Sequence, residues 1–87
     1  MFFVYILKSK KDNDLYVGYT ADLKRRIIEH NNFSEKSTKL RAPFDLVYYE
    51  AYASIGDAKH REDMLKRYSG SYTHLKKRIR NSLILFK

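Results

Sequence analysis

Five side chains in this sequence have types and positions that suggest chemistry rather than packing: Tyr5, Tyr16, Arg26, His30 and Glu62. Tyr5 and Tyr16 lie in short aromatic stretches, "VYIL" and "LYVGYT", where a core is satisfied by valine or leucine. Glu62 falls on one helical arc with Ile55, Ala58 and Leu65, at about 100° per residue. A carboxylate on that arc must find a cation, a metal ion or a wet cleft, because burying it alone costs several kcal/mol. Arg26 and His30 are an i,i+4 pair flanking an apolar side marked by Leu23 and Ile27. Arg26 can pair with Glu62, or its guanidinium can hold a phosphate through two parallel hydrogen bonds. The histidines, at 30, 60 and 74, have no i,i+4 partner among themselves, which argues against a zinc-binding helix motif.

The elements that must position these groups follow from local pattern. Residues 2–7 and 15–20 are rich in β-branched and aromatic types and predict strands. Period-2 alternation puts Phe3, Tyr5 and Leu7 on one face, Phe2, Val4 and Ile6 on the other, with Tyr16, Gly18 and Thr20 sharing a face of the second strand. Asp12, Asn13 and Asp14 supply the turn. Asp22 predicts the N-cap of a helix through "LKRRIIEHNN". Residues 33–44, with the only proline, have no sustained period and predict a loop. "DLVYYEAYA" predicts a third strand. A second helix opens at Ser54, with Asp57 three residues on, and Gly70 is expected to separate it from a last helix over 71–85. The stripe of that helix is Tyr72, Leu75, Ile79, Leu83 and Phe86. The order is ββαβαα, one α+β domain over residues 1–87 with one core.

Composition narrows the classes. The absence of cysteine removes disulfide frameworks and thiolate metal sites. The longest apolar run, "FFVYIL", is too short to span a membrane, and a cytoplasmic protein with no membrane partner is expected. Residues 1–58 carry 9 basic and 8 acidic side chains, whereas residues 59–87 carry 9 and 2, so the excess charge sits in the last third. Lys76, Lys77, Arg78 and Arg80 concentrate it without an intervening acid. They suit nucleic-acid phosphates, or else form a solvated face. Ile84 and Leu85 fall off the inward arc and suit a frayed end or a small homodimer contact.

With these residues in place, the chain resembles the GIY-YIG nuclease domain family, closest to its small stand-alone bacterial members. "FVY" at 3–5 and "YVG" at 16–18 match the two tripeptides, followed by "TADLKRRIIEH", "LVYYEAY", "REDMLKRY" and "LKKRIRNSL". Phe3 stands where the family name has glycine, and Asn81 is the candidate for a late asparagine, although its helical angle faces solvent. The resemblance implies a three-stranded antiparallel sheet flanked by helices and a metal-dependent endonuclease that hydrolyses nucleic-acid phosphodiester bonds, with DNA placed ahead of RNA but the choice left open, and with a link to DNA repair or recombination. It assigns Tyr5 as base toward the attacking water, directly or by a relay, Tyr16 as a positioning group, Arg26 as charge stabiliser and His30 as a further site residue. Glu62 becomes the ligand of one Mg²⁺ or Mn²⁺ ion. Arg26, His30 and the metal are expected to pull the Tyr5 phenol below its usual pKa of about 10. No additional DNA-binding domain is expected within these 87 residues, so targeting is expected to come from nucleic-acid shape, a partner protein or a homodimer. The alternatives are a non-catalytic nucleic-acid-binding module that keeps the fold, and a protein-interaction domain using Tyr48, Tyr49 and Tyr52.

Overall fold

The computed structural model describes residues 1–86. Strands β1 (Phe2–Ser9), β2 (Leu15–Thr20) and β3 (Phe44–Tyr52) form an antiparallel sheet in the order β2-β1-β3. The β1–β2 turn uses the predicted residues. Asn13 has φ 61°, the left-handed region that asparagine tolerates, and the Asp14 N–H donates to Asp12 Oδ1 at 2.8 Å. Ser9 Oγ accepts from the Lys11 and Asp12 amides, closing the same turn.

Helix α1 (Leu23–Asn31) starts where the Asp22 side chain accepts from the Arg25 amide, and α2 (Ile55–Arg67) where Ser54 accepts from the Asp57 amide. The last helical segment departs from the expected single rod over 71–85. It is α3 (Ser69–Arg78) followed by α4 (Arg80–Leu85), and it begins before Gly70 because extended backbone at Tyr68 already ends α2. The break falls at Ile79, which is buried against the sheet. The turn there brings Leu83 to the core and its carbonyl to Lys8 Nζ at 3.1 Å. Phe86, assigned to the inward stripe, is 38% exposed, because α4 ends before it.

Because β1 is the middle strand, both of its faces are covered, and the expected single core is divided into two. Val4 and Ile6 meet Val17, Val47, Ala58, Leu65, Leu75 and Ile79, so α2, α3 and α4 lie on that side. Tyr5 and Leu7 meet Ala42 and Phe44, with Leu23 and Ile27 of α1 packed against them. A register shift between Ile6 and Leu7 puts the extra residue in β3, at Val47, which turns into the first core. No helix among the described residues is long and apolar enough to cross a membrane.

Candidate active site

Tyr5 is the hub of the second face. Its ring crosses Gly18, its cross-strand partner on β2. A Cβ built on that glycine would lie 2.3 Å from Tyr5 Cζ, so any side chain there meets the phenol. The Tyr5 hydroxyl pairs with His30 Nε2 at 2.8 Å, and His30 Nδ1 pairs with Thr38 Oγ1 at 2.7 Å. The His30 ring makes edge contacts with Tyr5, Tyr16 and Phe44. His30 and Thr38 are fully buried. Thr38 comes from the 33–43 loop, where the aperiodic sequence singles out no residue.

Arg26 stands one turn before His30. It does not pair with Glu62. Its Nη2 donates to Glu35 at 2.8 Å and its Nη1 to Glu29 at 3.1 Å. Burial works against its charge, but these bonds and its contact with Tyr5 outweigh that and hold the guanidinium protonated. The bond to Arg26 lowers the pKa of Glu35.

Helix α2 is on the opposite side of the sheet from α1, yet it reaches around the β2 edge. Lys59 Nζ lies 5.7 Å from the Tyr19 ring, on one face, and Lys66 Nζ lies 5.8 Å from the Tyr16 ring, on the other. Glu62 sits on the same helical stripe between them, half-buried, with its carboxylate 3.1 Å from Lys66 Nζ. Of the arc that predicted it, Ala58 and Leu65 are buried while Ile55, at the helix start, is exposed. The Glu62 charge is felt at Tyr5.

The phenol behaves opposite to expectation. Burial pushes the Tyr5 hydroxyl up to about 12, and the neighbouring Arg26 opposes this without overcoming it, while the charges of Tyr16 and Glu62 add to it. His30 is depressed by burial first and by the Arg26 charge second, so it is neutral at physiological pH and supplies no cation.

The basic run expected to hold nucleic acid does not join this cluster. Lys76, Lys77 and Arg78 end α3 and Arg80 opens α4, exposed, on elements packed against the face opposite Tyr5. Lys76 Nζ covers the Tyr72 ring at 4.7 Å. Asn81 is exposed on α4, as its angle indicated. A cavity of about 350 Å³ lined by Lys10, Asn13, Asp45, Leu85 and Phe86 lies at the turn end of the sheet and includes none of the five residues.

Among the described residues no three His, Asp or Glu side chains converge to cage a metal. Glu62 alone nevertheless fits an ion of the magnesium class. That ion takes one or two protein carboxylates and keeps water and phosphate oxygens in its other positions. The Glu62 oxygen is hard, partly open, and engaged by a flexible ammonium that can swing away.

The structure thus groups a tyrosine hairpin, with one phenol laid over a glycine, and an arginine and histidine from the next helix, with a glutamate from α2 standing at the sheet edge. Residues 1–77 match the GIY-YIG catalytic domain, and the chain belongs to that family. A UPF0213 protein of Staphylococcus epidermidis is 46% identical over 68 residues, 77% of this chain and 82% of the relative. A UPF0213 protein of Clostridium perfringens is 44% identical over 68 residues, 77% of this chain and 72% of the relative. Among solved structures, the UPF0213 protein BH0048 from Bacillus halodurans, determined by solution NMR, is 37% identical. It is covered to 86% by this chain, with a TM-score of 0.48.

Proposed function

We propose that this chain is a metal-dependent endonuclease that hydrolyses phosphodiester bonds in DNA, selecting its target by nucleic-acid shape. The observation that carries the reading is the convergence on Tyr5. One phenol is bonded to His30 and sits beside Arg26, and Glu62 stands at the β2 edge paired with Lys66, whose ammonium lies 5.8 Å from the Tyr16 ring.

The residues divide the work by their chemistry. Tyr5 accepts the proton of the attacking water, and Arg26 spreads charge over the scissile phosphate oxygens. Tyr16, in ring contact with His30 and under Lys66, borders the space where that phosphate is held. Bound at Glu62, a divalent cation supplies Lewis-acid stabilisation for the departing oxygen. A phenol at about 12 is almost wholly protonated at neutral pH, so the rate rises with pH across the neutral range as the phenolate fraction grows.

The deciding experiment is cleavage of labelled branched, nicked and single-stranded DNA with Mg²⁺ or Mn²⁺ and with chelator. The parent cleaves only with metal. Glu62→Gln loses Mn²⁺ binding, measured calorimetrically, together with cleavage. Tyr5→Phe keeps the metal and the fold but loses at least about 10²-fold in turnover, the scale for a preorganised catalytic group. Absence of metal-dependent cleavage by the parent removes the nuclease reading and leaves a nucleic-acid-binding module, whereas full turnover in both variants removes the roles given to Tyr5 and Glu62.

A further inference from the structure

We infer that Phe33 is a stacking platform for an unpaired nucleobase, so that the site engages DNA where a strand is single or frayed. The inference rests on the nucleic-acid part of the proposed function and names the feature of the substrate that phosphate contacts leave unread.

The ring stands where α1 ends. The Phe33 amide donates to the His30 carbonyl at 3.4 Å, and the Ser34 amide to the Glu29 carbonyl at 3.0 Å. With Asn32 as the C-cap, these are the two bonds of a Schellman ending, and Phe33 has φ 61° at the position that glycine usually fills. Left-handed backbone is costly for a residue with a bulky side chain. Other residues fix the helix end. Asn31 Nδ2 donates to the Phe44 carbonyl at 3.2 Å, and Asn31 Oδ1 accepts from the Phe44 amide at 2.7 Å. Glycine would serve this ending better, so the backbone does not account for a phenylalanine.

Packing does not account for it either. Phe33 is 57% exposed, the most exposed of the five phenylalanines, and belongs to neither core cluster. Among the described residues its ring meets no other aromatic ring. The chain thus holds a strained ring out into solvent.

Its neighbours indicate the ligand. Lys36 and Lys39 of the following loop are exposed, and among the described residues no carboxylate pairs with them. The nearby acids, Glu29 and Glu35, are both taken up by Arg26. Leu40 is exposed on that loop too, but it is aliphatic and offers no flat face. An aromatic ring beside unpaired cations suits an anion with flat faces, and single-stranded nucleic acid has both along its length. An apolar protein surface would leave the ammonium groups unmatched. The location agrees. His30, whose carbonyl accepts the Phe33 amide, also bonds Tyr5. Arg26 and Phe33 are about 10 Å apart along the helix axis, the rise of about three stacked nucleotides. A strand lying along α1 with a phosphate at Arg26 therefore has a base at Phe33.

The test uses Phe33→Trp, which gives the chain its only tryptophan, in chelator so that cleavage plays no part. This variant binds a labelled single-stranded oligonucleotide as the parent does, and its fluorescence is quenched on binding. The same strand made abasic, which keeps the phosphates, leaves the fluorescence unchanged, as does fully paired duplex. Phe33→Gly weakens single-strand binding at least about fivefold, the low end for one base stacked on an aromatic ring. Its salt slope is retained because no phosphate contact is lost, and its thermal midpoint does not fall because glycine suits the backbone. Parental affinity in the glycine variant overturns the inference, as do quenching by the abasic strand and a parent that does not bind single strands. A lowered midpoint overturns it by making the ring a packing group. Fluorescence that follows protein concentration and not DNA overturns it by placing the ring against a second copy. Loss of the nuclease reading is seen separately, as a parent that does not cleave with metal while the quenching persists.

Discussion

Tyr5 is held from three directions, by Gly18 beneath its ring, by His30 at its oxygen and by Arg26 beside it. The glycine requirement is steric and not conformational, because no glycine in the chain has positive φ. Gly18→Ala therefore forces the phenol off its place, since the new Cβ has only 2.3 Å to Cζ. Overpacking of this kind costs about 1–3 kcal/mol. Urea denaturation should show that loss, with the Tyr5–His30 bond broken in the same variant; an unchanged midpoint would mean the ring turns aside freely. The tyrosine tripeptides, Arg26 and His30 were legible because each is a local feature of residue type and spacing. Thr38 and Glu35 were not. Both lie in an aperiodic loop, and only the folded path of that loop brings one to His30 and the other to Arg26.

At the level of elements, the join between β3 and α2 decides where Glu62 stands. Glu50 ties it together. Its carboxylate accepts from Arg61 Nε at 2.9 Å and Nη2 at 3.1 Å, and from the hydroxyls of Tyr48 and Tyr52. The tyrosines that suited a docking role are thus partly spent on an internal network; only Tyr49 of the three is exposed. Burial disfavours the Glu50 charge, but Arg61 and the two phenols overcome this and lower its pKa. Glu50→Gln keeps the volume and removes the charge, so it should cost about 2 kcal/mol, the scale of a hydrogen bond to a charged partner. Thermal unfolding checks this, and an unshifted midpoint would make the network ornamental. Helix starts were legible from Asp22 and Ser54, whose side chains cap as their types predict. The break at Ile79 was not, because the stripe Tyr72–Leu75–Ile79–Leu83 is equally compatible with a straight rod until the sheet surface it must follow is known.

Across the whole molecule, charge and proton balance give two further expectations. Tyr5, Tyr48 and Tyr52 are each raised from 10.0 to about 12, in every case by burial first. Between those values the unfolded chain has released protons that the folded chain retains, so stability falls as pH rises from about 10 toward 12. Below that window the contribution is fully present. Denaturant midpoints taken across it should fall more steeply than one phenol allows, and Tyr48→Phe should flatten the slope; a constant midpoint would contradict the buried-phenol account. The second expectation concerns the basic run. Replacing Lys76, Lys77, Arg78 and Arg80 by alanine should weaken DNA binding evenly across sequences and leave turnover intact. The salt slope should fall by about 0.9 for each phosphate the variant no longer neutralises. Titrations at several salt concentrations decide this, and an unaltered slope returns that surface to ordinary solvation. Composition revealed the charge asymmetry but not its place, which depends on which face of the sheet each helix covers.

The central strand carries the heaviest constraint. Odd positions of β1 serve the face shared with His30 and α1, and even positions serve the hydrocarbon face under α2 and α3. Inserting or deleting one residue between Tyr5 and the β1–β2 turn would do more than loosen the strand. It would deliver the phenol into the grease beneath α2 and present valine or isoleucine to His30. Heritable change in this strand is therefore confined to swaps of letter, since any change of count turns the protein inside out.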